Sequence, residues 1–155
     1  MIAFDVRTDY LSLAARYAAA PDQWPVAPRF NPAQRWYHRI AQATDHEVWL
    51  LTWLPGQSTD LHDHGGSAGA FHVLSGSLSE DTVIAGTPVR IAARDFGDGA
   101  GRSFGSRHIH RIANRSVRPA ISIHVYAPAL TTMTRYRVSG PRLEVAEVEK
   151  AGVQW

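Results

Sequence analysis

The sequence predicts a mainly β protein, an antiparallel β-barrel of jelly-roll type with short helices only at the N-terminus. Short runs rich in Val, Ile, Leu, Tyr and Trp recur at nearly even spacing from Trp36 to Val148. Turn signals separate them: Pro55-Gly56, Gly65-Gly66, Ser75-Gly76, Ala85-Gly86, Gly97-Asp98-Gly99 and Ser139-Gly140-Pro141. Helical patterning is confined to the residues before Trp36.

Residues 8–20 put Leu11, Ala14, Ala15 and Ala18 on one helical face, after a Thr8 or Asp9 cap and before Pro21. Asn31-Pro32 has the form of an N-cap and first-turn proline, which predicts a second short helical segment. Strands are then expected over Trp36–Ala43, His46–Leu54, Ala70–Leu74, Leu78–Ile84, Val89–Ala92, His108–Ala113, Ala120–Tyr126, Met133–Val138 and Leu143–Val148. The expectation is one domain over residues 1–155, with a helical segment 1–35 packed on the barrel.

The 155 residues suffice for one core without disulfides or a structural metal. No apolar stretch approaches membrane-spanning length, and Asp5, Arg7 and Asp9 stand where a signal peptide would be apolar. A cytoplasmic protein is the expectation. Net charge is +2, and the arginines are scattered rather than gathered in a stripe, which argues against nucleic acid. The absence of cysteine removes thiolate nucleophiles and Cys-ligated metal. Chemistry falls to His, Tyr, Ser, Arg or carboxylates.

Eight histidines stand out, three of them between Leu61 and His72. His62 and His64 flank Asp63, so in extended chain both imidazoles point one way. Taken alone, the pair reads equally well as two surface histidines beside a Gly-Gly turn. Gly56, His62, His64, Gly69 and Gly76 together resemble the first motif of the cupin superfamily, with Gly69 where many cupins carry a metal-binding Glu. A degraded second motif survives as His-x-x-x-Asn, His110 and Asn114, which makes His110 the third ligand. His108 competes with it, being two residues away. His72, His38 and His46 read as a barrel histidine and two surface positions. Three neutral imidazoles would leave a divalent metal its full charge and open positions for an anionic substrate such as a thiolate.

Further stretches narrow the resemblance. WYHRI from Trp36, the run from Trp49 to Leu78, IHRIANRS from Ile109 and PAISIHVYAP from Pro119 together resemble bacterial cysteine dioxygenases, over roughly residues 36–137. The resemblance implies an iron(II) enzyme that adds both atoms of O₂ to a small thiol. It implies iron held by His62, His64 and His110, with Ser122, His124 and Tyr126 as an outer relay. Alternation supports the relay, since all three face one way on a strand. It also implies that Arg39, aided by Tyr37, holds the substrate carboxylate. Arg rather than Gln there resembles the branch that uses cysteine, not 3-mercaptopropionate. Animal members crosslink a Cys to the tyrosine, whereas Gly69 takes that place here.

The resulting expectation is an Fe(II)-dependent oxidation of L-cysteine to cysteine sulfinic acid, with cysteine and O₂ as partners. Nothing points to a nucleic acid, a membrane or an obligatory protein partner. Three histidines do not encode the ion, because Ni, Cu and Zn bind such a site at least as tightly. Oxidation of another small thiol, or a non-redox cupin that binds a small molecule, are the alternatives.

Overall fold

The computed structural model describes residues 9–150. Asp9 caps the first helix, α1 (Tyr10–Ala18), accepting hydrogen bonds from the Ser12 amide at 3.1 Å and the Ser12 hydroxyl at 2.6 Å. Thr8, the other candidate cap, lies outside the described residues. A single 3₁₀ turn follows at Pro21–Gln23.

The segment at Asn31-Pro32 is not helical. The Asn31 side chain accepts the Ala33 amide at 2.9 Å, an Asx turn, while its backbone carbonyl accepts Gln57 Nε2 at 2.7 Å. The same side-chain oxygen that can cap a helix can close a local turn instead, and the tie to Gln57 anchors that bend.

Eleven strands follow among the described residues: β1 (Trp36–Gln42), β2 (Glu47–Trp53), β3 (Leu61–His62), β4 (Ala68–Ser75), β5 (Leu78–Ile84), β6 (Arg90–Phe96), β7 (Gly101–Phe104), β8 (His110–Ala113), β9 (Ala120–Ala127), β10 (Thr132–Ser139) and β11 (Arg142–Lys150). Nine match expected strands. The two unforeseen ones, β3 and β7, have two and four residues, too few to show alternation.

The strands form two antiparallel sheets, β1-β2-β9-β4-β7 and β11-β10-β3-β8-β5-β6. Between them lies the first core, built around Leu51, Trp53, Phe71, Phe96, Phe104, Ile112 and Met133. A second core lies on the outer face of the five-stranded sheet, where Ala14 and Ala18 of α1 meet Val48, Leu50, Ile123 and Val125. Strand β2 is therefore covered on both faces, which accounts for the nearly unbroken apolar run EVWLLTW. No helix among the described residues is long and apolar enough to cross a membrane.

Two residues of the sequence motifs act on the backbone. Asn114 donates to the carbonyls of Trp53 at 2.9 Å and Arg118 at 2.7 Å, and accepts from the Ser116 amide and hydroxyl, so it ties the loop after β8 to the end of β2. Gly69 allows close approach, since a Cβ there would collide with the Val125 carbonyl and press Phe104 Cζ at 3.1 Å. Gly69→Ala is expected to cost about 1–3 kcal/mol, read as a lower urea midpoint; an unchanged midpoint would show that the strands can part without penalty.

Candidate metal centre

His62 ends β3, and His64 follows in the turn through Gly65-Gly66. Asp63, between them, fixes that turn. Its Oδ1 accepts the Gly65 and Thr134 amides at 3.1 and 3.0 Å, its Oδ2 accepts the Tyr136 hydroxyl at 2.7 Å, and its own amide donates to the Thr134 carbonyl. The loop is thereby pinned to β10. His110 opens β8 directly opposite His62 in the sheet register, so a residue far away in sequence becomes a cross-strand neighbour.

The three rings converge. Centroid distances are 4.9 Å for His62–His64, 4.8 Å for His62–His110 and 4.9 Å for His64–His110, and each offers a nitrogen within 4.8 Å of the others. All three are buried. Burial pushes His62 and His64 well below the ordinary imidazole range, with neighbouring histidines adding to it; it also lowers His110, against an opposing pull from Glu80. Neutral imidazole is the form that ligates metal.

Hydrogen bonding says which nitrogens are available. His62 Nδ1 lies 2.8 Å from the Asp60 carbonyl and His110 Nδ1 lies 2.7 Å from Glu80 Oε2, so both carry their proton on Nδ1 and leave Nε2 free. His64 has no hydrogen-bond partner on either nitrogen. Three buried imidazoles with free lone pairs aimed together, one of them wholly orphaned, fit a divalent cation and would otherwise carry an uncompensated polar cost.

His108 does not join this group. Its Nε2 donates to Glu80 Oε2 at 3.0 Å and its ring stacks on Phe104. Glu80 was not foreseen from the sequence, and it changes the charge balance expected there. Burial alone would push its carboxyl up, but hydrogen bonds from His108 and His110 and the charge of Arg102, 3.0 Å away, outweigh this and hold it ionised. A protein anion therefore does sit beside the site, behind His110 rather than within the triad. His72 is half-buried on β4, His38 is exposed against Trp36, and His46 pairs with Asp45; none approaches the triad.

Ser122, His124 and Tyr126 alternate along β9 and are all buried. Ser122 Oγ is 2.8 Å from His124 Nε2, and His124 Nδ1 is 3.4 Å from the Tyr126 hydroxyl. A fourth member was not anticipated: Trp53 Nε1 donates to Ser122 Oγ at 2.9 Å. An indole N–H can only donate, which leaves the serine proton for His124 Nε2 and the imidazole proton on Nδ1, facing Tyr126. Burial lowers His124 to about 3 and pushes Tyr126 up, so the ring is neutral and the phenol keeps its proton. The Tyr126 and His64 rings are 5.3 Å apart, which brings the relay to the triad.

The chain matches the cysteine dioxygenase type I family over residues 4–139. The chain belongs to that family. Its cupin fold recurs in solved structures of low identity. These include a protein of Thermus thermophilus (24% identity, TM-score 0.56, 66% of this chain and 90% of that one) and a double-stranded β-helix protein of Klebsiella pneumoniae subsp. pneumoniae (19%, 0.52, 77% and 90%). A cupin superfamily protein of Desulfitobacterium hafniense is similar too (16%, 0.52, 66% and 83%). These likenesses are of fold.

In this cysteine dioxygenase family member a narrow cavity is lined by His62, His110, His124 and Tyr126 together with Arg35 and Trp53, among others. Arg39 is not among its lining residues. It is half-exposed and pairs with the buried Glu47 at 3.7 Å, while Glu47 also accepts the Leu130 amide. Tyr37 packs on the inner core edge-on to Trp49. Two arginines line the cavity: Arg135 is paired with Asp60 at 3.2 Å and Glu149 at 2.8 Å, whereas Arg35 lies 5.2 Å over the Trp53 ring and its Nη1 is buried with no hydrogen-bond partner. Burial lowers Arg35 to about 10, still cationic at neutral pH.

Proposed function

We propose that the protein is an iron(II)-dependent thiol dioxygenase that converts L-cysteine and O₂ into cysteine sulfinic acid in the cytoplasm. The reading rests on one observation: in a member of the cysteine dioxygenase type I family, His62 and His110 of the histidine triad, His124 and Tyr126 of the relay, and a guanidinium with an unpartnered nitrogen line one cavity. The atoms balance without a further reductant, because RSH and O₂ give RSO₂H. Both oxygen atoms end on sulfur, and the four electrons sulfur loses are those O₂ accepts.

When bound, iron(II) at the three histidines would supply Lewis acidity toward a thiolate and one-electron chemistry toward O₂. The chain's own residues do the rest. Arg35 takes the carboxylate in a bidentate fork, a role the sequence resemblance assigned to Arg39, and Trp53 beneath the guanidinium steadies its plane. Tyr37, packed edge-on against Trp49, does not line this cavity. The hydrogen-bond chain from Trp53 through Ser122 and His124 leaves the Tyr126 proton to point at the reacting sulfur and oxygen, where it stabilises developing negative charge. The apolar lining, Leu51, Ile112 and Met133, restricts water.

Mass analysis of the product from aerobic incubation with cysteine and Fe(II) is the test. Gain of two oxygen atoms supports the reading, whereas disulfide alone overturns it. Arg35 would hold 3-mercaptopropionate equally well, so oxygen consumption with the two acids compares them directly. Tyr126→Phe is expected to retain iron while turnover falls roughly 10²-fold; unchanged turnover would remove the relay from the chemistry.

A further inference from the structure

We infer that Glu80 is a positioning residue of the metal centre: it holds His110 by its Nδ1 and supplies, one residue back from the ion, the negative charge that Gly69 has no room to carry. The inference rests on the metal-centre reading and deepens it.

The Glu80 side chain is fully buried, yet both nearby imidazoles converge on one of its oxygens, His110 at 2.7 Å and His108 at 3.0 Å. An isolated buried carboxylate is costly, so its retention calls for partners that use it. Sheet register places it. Thr82 of β5 faces His110 of β8 and Glu80 faces Ile112, so Glu80 is the diagonal neighbour of His110. A carboxylate only accepts, which fixes the His110 tautomer and aims Nε2 into the triad, and its charge raises the donor strength of that nitrogen. The inner position is closed to an acid, because a side chain at residue 69 would strike the Val125 backbone.

Glu80, His108 and His110 could be read instead as a second metal site, since their ligand atoms also cluster. Arg102 argues against it. Its Nη1 stands 3.0 Å from Glu80 Oε1, where it already provides the cation, and His110 Nδ1 is spent on the hydrogen bond.

Co(II) titrated into full-length protein against a competing chelator tests this, with ¹⁵N chemical shifts of His110 as the second readout. Glu80→Gln keeps an acceptor but not the charge, and Glu80→Ala keeps neither. Affinity is expected to fall by about 10- to 100-fold across the two, with Ala the weaker and with His110 losing its Nδ1–H tautomer only in Ala. His108→Ala should bind one Co(II) per chain nearly as wild type does. Glu80→Gln carries the affinity test by itself if Glu80→Ala does not fold. Wild-type affinity in a folded Glu80→Gln protein overturns the inference, as does loss of a second equivalent of Co(II) in His108→Ala. Binding indifferent to His62→Ala would instead overturn the metal-centre reading beneath it.

Discussion

Arg35→Ala is expected to raise KM for cysteine by roughly 10- to 150-fold, the loss of about 1.5–3 kcal/mol of hydrogen bonding to a charged group, with iron content unchanged. The reason is geometric: Arg35 Nη1 is a buried donor with no protein acceptor, and the cavity it lines is the one that contains His62 and His110. Cysteamine, which is cysteine without the carboxylate, provides the control. Its oxidation should respond little to the substitution, because the lost contact is not one it makes. Arg39→Ala should leave both substrates nearly unaffected, since a half-exposed pair such as Arg39–Glu47 contributes at most about 1 kcal/mol. A large KM change in Arg39→Ala with none in Arg35→Ala would reverse the assignment.

The second large effect is loss of metal. His110→Ala or His62→Ala is expected to take iron content from about one ion per chain to nearly none, because two imidazoles without a third ligand or a carboxylate hold a divalent ion poorly. Elemental analysis after desalting reads this directly. His108→Ala provides the contrast: it removes a donor to Glu80, not a ligand, and should retain the ion. Retention by His110→Ala with loss by His108→Ala would exchange their roles.

Much of this site could be read in the chain because local rules carry it. The two-residue spacing of Ser122, His124 and Tyr126 follows from the strand period, while His62 and His64 are brought together across the end of β3 and the turn that Asp63 pins. His110 over His108 followed from the distance to Asn114, whose amide stitches the loop after β8 to the end of β2.

What was not legible depends on pairing between distant strands. Glu80 reaches His110 only through the β5–β8 register, and Trp53 reaches Ser122 across the β2–β9 register. The proposed carboxylate partner, Arg35, differs from the Arg39 of the family resemblance for another reason. Residues 35, 37 and 39 share one parity, so alternation does not separate Arg35 from Arg39. What separates them is that Glu47 is available to Arg39, whereas no protein acceptor reaches Arg35 Nη1. The second helix failed because an Asn side chain caps helices and closes Asx turns with the same atom.

Crystals of iron-loaded protein measured at the iron absorption edge address the central claim most directly. A single anomalous peak roughly 2 Å from a ring nitrogen of each of His62, His64 and His110 is the predicted result. A peak at Glu80 and His108, or none at the triad in protein carrying one iron per chain, would contradict it.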